Sequence, residues 1–91
     1  MTNELKFIPI QGGHTIRAMH DGAQLATAEE IGGYWMAQTH PNGTRYFAIT
    51  ARQAIMLALG IREQANFESG DYIATQYTNG MISYRDKVKN E

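Results

Sequence analysis

Three turn-forming dipeptides constrain the fold of this chain more than any other feature of its sequence. They are Asp21-Gly22, Asn42-Gly43 and Asn79-Gly80. Each lies between two runs in which apolar and polar residues alternate. Asn, Asp and Gly tolerate the positive φ values that tight turns require, so these dipeptides between alternating runs indicate β-hairpins. The chain is therefore predicted to consist largely of antiparallel strands.

The length of 91 residues predicts a single domain, residues 1–91, and we expect frayed ends at about 1–4 and 87–91. Because the chain has no Cys, neither a disulfide nor a thiolate metal site can support its small core. Its longest apolar stretch, residues 54–59, is too short to span a bilayer, and its N-terminus lacks the basic-then-apolar order of a signal peptide. These features predict a cytoplasmic protein that makes no membrane contact.

The first third of the chain is predicted to form a three-stranded meander. Its strands are expected at residues 5–10, 15–20 and 23–28. Pro9 has no N–H to donate to a neighbouring strand, so the first strand is expected at an edge of the sheet. Thr27 and Glu30 also have the spacing of a helix capping box, and a short helix within residues 21–31 is therefore an alternative to the third strand.

The loop at residues 40–43 predicts which aromatic side chains face the core. Pro, Asn and Gly at its last three positions favour a three-residue loop with a bulge, which sets Trp35 opposite Ile49. Ala37 then lies opposite Phe47, and these four side chains form the core face. The opposite face carries Tyr34, Met36, Gln38, Tyr46 and Ala48. A two-residue loop is less favourable here because it sets a glutamine side chain opposite Phe47.

Two-residue loops predict the registers of the other two hairpins. The Asp-Gly loop at residues 21–22 sets Ala18 opposite Leu25. The Asn-Gly loop at residues 79–80 collects four large side chains on one face of its hairpin. These are Ile73, Tyr77, Ile82 and Tyr84.

One helix is predicted between the second and third hairpins, and we expect it to pack on one face of the sheet. Thr50 and Gln53 have capping-box spacing, and the apolar residues that follow at helical intervals include alanines, which allow close approach to a sheet. Gly60 is either the left-handed residue that ends the helix or an interior glycine, in which case the helix continues to Asn66. The predicted fold is α+β, with about six to seven short antiparallel strands and one main helix at about residues 51–66.

No residue pattern predicts catalysis, a metal site or a cofactor. His14 and His20 lie on one predicted strand but at its opposite ends, roughly 20 Å apart at about 3.3 Å per residue. Neither of the two serines, Ser69 and Ser83, follows a strand-to-helix elbow or lies near a patterned His and acid. The Gly-Gly pair at residues 12–13 precedes a strand rather than a helix, unlike a phosphate-binding loop. We therefore predict a non-enzymatic protein without metal or cofactor.

The charge of the chain argues against a dedicated nucleic-acid-binding protein. Eight Lys and Arg residues against nine Asp and Glu residues give a formal net charge of -1, and the basic residues are scattered. Nucleic-acid-binding domains usually carry a basic stripe that neutralises phosphates. The alternative function is a regulator that reads nucleic acid with a hairpin or with the helix, using Arg45, Arg52 and Arg62.

Large apolar residues are predicted on both faces of the sheet, although one helix covers only one face. Those expected on the second face are Ile8, Ile10, Met19, Tyr34, Met36, Tyr46, Tyr72 and Met81. Because Tyr and Met are enriched at binding surfaces, this face is a candidate interface for a partner or for a homodimer. The alternatives are that the strands split into two sheets packed on each other, or that the loop at residues 29–33 covers the face.

The chain resembles the small anti-CRISPR inhibitors encoded by phages and mobile elements in its size, its charge, its lack of Cys and its hairpin-plus-helix architecture. The resemblance concerns the general character of the whole chain. It implies an inhibitor in the host-cell cytoplasm that binds a host protein or nucleoprotein complex and blocks its surface. It also implies a partner-binding site with an acidic part and an apolar part. The acidic part is Asp21, Glu29 and Glu30, and the apolar part is Tyr34, Met36 and Tyr46.

Overall fold

Two antiparallel sheets and one α-helix make up the protein in a computed structural model that describes residues 3–87. The larger sheet contains, in spatial order, β1 (Leu5–Ile10), β2 (Thr15–His20), β3 (Ala23–Ile31), β4 (Tyr34–Gln38) and β5 (Tyr46–Ala48). The smaller sheet contains β6 (Glu63–Glu68), β7 (Tyr72–Tyr77) and β8 (Ile82–Asp86). The helix α1 (Ala51–Leu59) connects them, and a short 3₁₀ turn, Gln11–Gly13, joins β1 to β2. The fold is α+β, with eight strands rather than the predicted six to seven.

The ends of the described chain are tied to the smaller sheet. The backbone oxygen of Asn3 accepts a hydrogen bond from the N–H of Ile82 (2.9 Å), and the N–H of Lys87 donates to the oxygen of Asp71 (3.0 Å). The rest of the predicted frayed ends, residues 1–2 and 88–91, lies outside the described residues. Within residues 3–87, no helix has both the length and the apolar character that crossing a bilayer requires.

The N-terminal meander is confirmed, with Pro9 on the edge strand β1 and with a strand rather than a helix at Ala23–Ile31. The predicted register between β2 and β3 is wrong. The turn has positive φ at Asp21 (53°) and at the glycine after it, as a two-residue hairpin requires, but the register shifts between Ala18 and Met19. Ala18 consequently lies opposite Ala26 instead of Leu25. The extra residue of this bulge brings small side chains to the face that packs against α1.

The predicted register of the β4–β5 hairpin is also wrong, by one residue. Trp35 lies opposite Ala48 and Ala37 lies opposite Tyr46, whereas the prediction set these two residues opposite Ile49 and Phe47. A shift of one residue moves every side chain of a strand to the other face of the sheet. Tyr46 and Ala48 therefore lie on the face toward α1, and Phe47 and Ile49 are exposed.

The conformation of the β4–β5 loop explains this shift. Gly43 does not have the positive φ that the predicted bulge requires. Instead, the Gln38 side-chain amide donates hydrogen bonds to the backbone oxygens of Pro41 (3.1 Å) and Gly43 (3.0 Å). The N–H of Gly43 donates to the oxygen of His40 (2.9 Å). The Gln38 side chain thus stabilises a longer loop than the turn residues alone indicate.

The β7–β8 hairpin has a three-residue loop rather than the predicted two-residue loop. The N–H of Tyr77 donates to the oxygen of Met81 (2.8 Å), and Gly80 has a φ of 91°, as in the left-handed position of a bulged loop. Ala74 lies opposite Tyr84 as a result. The four side chains predicted to share a face are therefore divided between the two faces. Ile73 and Tyr77 lie on one face, and Ile82 and Tyr84 lie on the other.

The helix α1 begins as predicted but ends earlier. The hydroxyl of Thr50 accepts a hydrogen bond from the N–H of Gln53 (3.1 Å), which confirms the N-cap. Gly60 has a φ of 71° and its N–H donates to the oxygen of Leu57, while the N–H of Ile61 donates to the oxygen of Met56. This pair of bonds is a Schellman motif, which ends the helix. The predicted continuation to residue 66 is wrong, because residues 63–68 pair with β7 as β6.

Replacing Gly60 with Ala is expected to lower the free energy of unfolding by about 1 kcal/mol. The left-handed conformation costs an L-residue about 1–2 kcal/mol, and the lower chain entropy of the unfolded Ala variant offsets part of this cost. Urea denaturation measures the difference. Gly70→Ala is the control, because Gly70 lacks positive φ and a Cβ there meets no atom within 4 Å. Equal stability of the two variants would show that Gly60 does not end the helix in this conformation.

Alanines form the contact between α1 and the larger sheet. The fully buried alanines are Ala18, Ala26, Ala28 and Ala37 in the sheet and Ala54 in the helix. Such small side chains let a helix backbone lie close to a sheet, as the alanine pattern predicts. Tyr77 of the smaller sheet completes the core beside Leu5 and Ile55. The smaller sheet thus packs beside α1, and it does not cover the second face of the larger sheet.

Candidate functional site

An apolar surface lies at the β4–β5 corner of the larger sheet, on the face away from α1. We call it the Tyr34 patch and define it as Ile31, Tyr34, Met36, Phe47 and Ile49. Ile31 lies opposite Tyr34 across β3 and β4, and Met36 lies opposite Phe47 across β4 and β5. The rings of Tyr34 and Phe47 meet edge to face, with centroids 6.2 Å apart.

The Tyr34 patch is open to solvent. Tyr34 is 50% exposed, Phe47 is 53% exposed and Ile49 is 75% exposed. These three residues and Ala48 line a shallow depression of about 400 Å³. Soluble monomers rarely expose large contiguous apolar surfaces, and those that are exposed commonly mark sites of interaction. The predicted exposure of the second face therefore holds at this corner.

Local sequence produces the patch in two ways. Alternation along β4 sends Tyr34 and Met36 to the outer face while Trp35 and Ala37 pack toward α1. The second way is the shortness of β5, which has only three residues. Ile49 therefore lies between the end of this strand and Thr50, the residue that caps α1. β5 is also an edge strand of the larger sheet, so one side of its backbone has no strand neighbour among the described residues. Such an edge can pair with a strand of another protein.

Of the six residues proposed for partner binding, the structure brings three together. Glu29 lies opposite Met36 on the outer face and therefore borders the patch beside Tyr34. Tyr46 lies opposite Ala37, on the face toward α1, and is half-buried. The predicted grouping of Tyr46 with Tyr34 is therefore wrong.

The other two acidic residues lie apart from the patch. Glu30 is on the opposite face from Glu29 and contacts the ring nitrogen Nδ1 of His14 at 3.2 Å. Asp21 occupies the turn before β3, at the far end from Ile31 of a nine-residue strand. At about 3.3 Å per residue, this strand is roughly 26 Å long. The three acids therefore do not form one surface.

Phe47, Ile49 and Ile31 are the patch residues that the sequence analysis missed. The first two were assigned to the core because of the bulged register. The two-residue loop, rejected for setting a glutamine opposite Phe47, differs from the observed register by an even number of residues. It would have placed both side chains on the outer face, as observed.

The three arginines of the nucleic-acid alternative lie on separate segments. Arg45 precedes β5, Arg52 is in the first turn of α1, and Arg62 follows the end of the helix. Arg52 is already engaged, since its Nε donates to the hydroxyl of Tyr77 (3.1 Å) and its Nη2 is 3.3 Å from the carboxylate of Glu63. The three arginines therefore come from separate segments, and one of them is already paired with a carboxylate.

Comparisons of the chain with protein-family models, with curated proteins and with solved structures found no match. Among residues 3–87, no three His, Asp or Glu side chains converge in the way that a bound metal ion would require.

Proposed function

We propose that this protein is a small non-enzymatic protein-binding module that contacts its partner through the Tyr34 patch. The observation that carries the proposal is the exposure of Tyr34, Phe47 and Ile49 side by side, on a face that neither α1 nor the smaller sheet covers. Burial of aromatic and large aliphatic side chains at the centre of an interface supplies most of the binding free energy in typical complexes.

The surroundings of the patch indicate the chemistry of the partner. The centre is apolar, and the carboxylate of Glu29 lies at its border. A complementary surface is therefore apolar with a basic group at its rim. The free edge of β5 beside the patch supports a second mode of contact, in which a strand of the partner extends the larger sheet.

The finer form of the proposal is that the partner is a host nuclease nucleoprotein complex, which the protein inhibits by occupying its surface. This form is supported by the general resemblance to small anti-CRISPR inhibitors. Only Glu29 of the three acidic residues borders the patch, so we attribute binding to apolar contact rather than to imitation of phosphates. The alternative partner is a second copy of the chain.

The variant Phe47→Ser is expected to reduce partner binding at least tenfold while changing the free energy of unfolding by less than about 1 kcal/mol. The measurement is quantitative capture from a lysate of the native host, with thermal unfolding of each variant. Phe67→Ser is the matched control, because Phe67 of β6 is 54% exposed and Phe47 is 53% exposed. Equal capture by both variants contradicts the proposal. A large loss of stability in Phe47→Ser alone would instead place Phe47 in the core.

Two further measurements separate the possible partners. Sedimentation of the purified protein tests for a dimer, which Phe47→Ser should convert to a monomer if the partner is a second copy. Expression in cells that carry an active CRISPR nuclease tests inhibition, which should raise phage plating efficiency for the wild type and for Phe67→Ser. If the wild type does not raise plating efficiency with any nuclease of a representative panel, the inhibitor function is wrong. The capture experiment alone then tests whether the protein is a protein-binding module.

A further inference from the structure

A cleft of about 550 Å³ lies where the two sheets meet, at the edge of the larger sheet farthest from the Tyr34 patch. Glu4, the residue before β1, forms an isolated parallel bridge with Ile82 of β8. Beyond this bridge, residues 5–8 and 83–85 line the cleft instead of pairing with each other, and the first turn of α1 contributes Ala51 and Arg52. This volume is within the range of about 300–1,000 Å³ that is typical of small-molecule sites.

The lining combines apolar residues with positive charge. Its apolar side chains are Leu5, Phe7, Ile8, Ile16 and Ala51. Its cationic side chains are Lys6, Arg52 and Arg85, and its one carboxylate is that of Glu4, at the bridge. Two of the three cations, Lys6 and Arg85, have no ion pair with another described residue, and this leaves the cleft positive.

A buried hydrogen-bond chain supplies a further donor. The Nε of Arg52 donates to the hydroxyl oxygen of Tyr77 (3.1 Å), which is 2.7 Å from the hydroxyl oxygen of Ser83. Tyr77 is fully buried, so its own hydroxyl proton has Ser83 as its acceptor. The hydroxyl proton of Ser83 is then the one without a partner. Ser83 is 6% exposed and lines the cleft, so this proton is available to a ligand there.

Arg52 anchors this hydrogen-bond chain. Its Nη2 is buried and makes no hydrogen bond of good geometry, although the carboxylate of Glu63 lies at ion-pair distance, 3.3 Å. Its guanidinium is held in place by the hydroxyl of Tyr77 and lies 5.8 Å from the centroid of that ring.

We infer that this cleft binds a small anionic amphiphile, with a carboxylate or phosphate head group and a hydrocarbon tail. The head group accepts a hydrogen bond from Ser83 and is attracted by Lys6 and Arg85. The tail lies along Phe7 and its apolar neighbours. Apart from the carboxylate of Glu4, the polar side chains of the cleft are cations and hydroxyl donors, and this favours an anion. The inference does not depend on the proposed function, because the Tyr34 patch is at the other edge of the sheet.

The test uses three probes that share one chain length: dodecanoate, dodecyl phosphate and dodecanol, each below its aggregation concentration. Binding is measured by titration calorimetry, and its location by backbone amide NMR shifts. We expect one or both anions to bind at least tenfold more tightly than dodecanol, with the largest shifts at residues 5–8 and 83–85. The two anions distinguish a carboxylate preference from a phosphate preference.

The variant Lys6→Gln with Arg85→Gln is expected to weaken anion binding at least tenfold, since both side chains are at the exposed rim and their loss does not disturb the core. The control is Arg45→Gln with Arg62→Gln, which removes the same charge from exposed residues outside the cleft and should leave affinity within twofold. Partner capture through the Tyr34 patch should be the same for all of these variants.

Four results with these probes and variants would overturn the inference. They are equal binding of dodecanol and the anions, no binding of any probe, NMR shifts centred on the Tyr34 patch, and equal affinity of the cleft and control variants. Tighter binding of an acidic hexapeptide than of both amphiphiles would also overturn it, because it would show that the cleft accepts a strand between β1 and β8.

Discussion

Replacing Tyr77 with Ala is expected to lower the free energy of unfolding by about 3–5 kcal/mol, the largest effect of any substitution considered for this protein. Tyr77 is the largest fully buried side chain, and it joins the smaller sheet to α1 and to Leu5 of β1. Its removal leaves a cavity between these elements and deprives Arg52 and Ser83 of their common hydrogen-bond partner. A domain of this size has a total stability of about 5–14 kcal/mol, so urea denaturation should show a much lower midpoint.

The contribution of the Tyr77 hydroxyl is separated by Tyr77→Phe, which keeps the ring. We expect a loss of about 1–3 kcal/mol, because Nε of Arg52 and the hydroxyl of Ser83 then remain buried without this partner. Tyr72→Phe on the same strand is the control, since Tyr72 is exposed and should lose less than about 0.5 kcal/mol. If both Phe variants are equally stable, the hydrogen-bond chain through Tyr77 does not stabilise the fold.

Replacing Ala37 with Leu is expected to lower the free energy of unfolding by about 1–3 kcal/mol. Ala37 is fully buried on the face of β4 that packs against α1, opposite Ala28 of β3. A larger side chain there forces α1 away from the sheet or adopts a strained rotamer, because the neighbouring side chains leave little space. The same denaturation measurement, with the two-state fit checked by two spectroscopic probes, determines the loss.

The control for Ala37→Leu is Ala23→Leu at the start of β3. Ala23 is exposed, so the added side chain extends into solvent and should change stability by less than about 0.5 kcal/mol. A negligible effect at Ala37 would show that α1 does not lie as close to the sheet as the buried alanines indicate. The pair of variants thus measures helix–sheet packing independently of strand propensity.

The two candidate binding sites lie at the two edges of the larger sheet. The β5 edge carries the Tyr34 patch, which is apolar with one acidic neighbour, and the β1 edge borders the positive cleft. Sheet edges have backbone groups without strand partners, and side chains from both faces are accessible there. This arrangement allows a protein partner and a small anion to bind without competing for the same residues.

Much of the fold follows from short-range signals in the sequence. Pro9 indicates an edge strand because it lacks an N–H. Thr50 starts α1 because its hydroxyl accepts a hydrogen bond from the N–H of Gln53. Gly60 carries a local signal for a helix end as well. The prediction of a longer helix failed because residues 61–66 are acceptable in a helix, and only pairing with β7 shows that they form a strand.

The candidate site was less predictable, since it depends on registers that differ by a single residue. Tyr34 and Met36 were placed correctly on the outer face, because the alternation of side chains along β4 does not depend on its register with another strand. Phe47 and Tyr46 were exchanged between faces, because the Gln38 side chain holds a wider loop than the residues of the turn indicate. The cleft was not predicted at all, since β1 and β8 are far apart in the chain and are brought together by the bridge between Glu4 and Ile82.

The sequence by itself determined the fold class, the positions of most strands, the edge location of Pro9 and the start of α1. These features depend on φ preferences, missing donors and caps that act within a few residues. The tertiary structure decided which side chains are exposed, which residues form the Tyr34 patch and where the positive cleft lies. The physical reason is that a shift of one residue in the register of a hairpin moves every side chain of a strand to the other face of the sheet. Long-range packing and side-chain hydrogen bonds in the loops select the register.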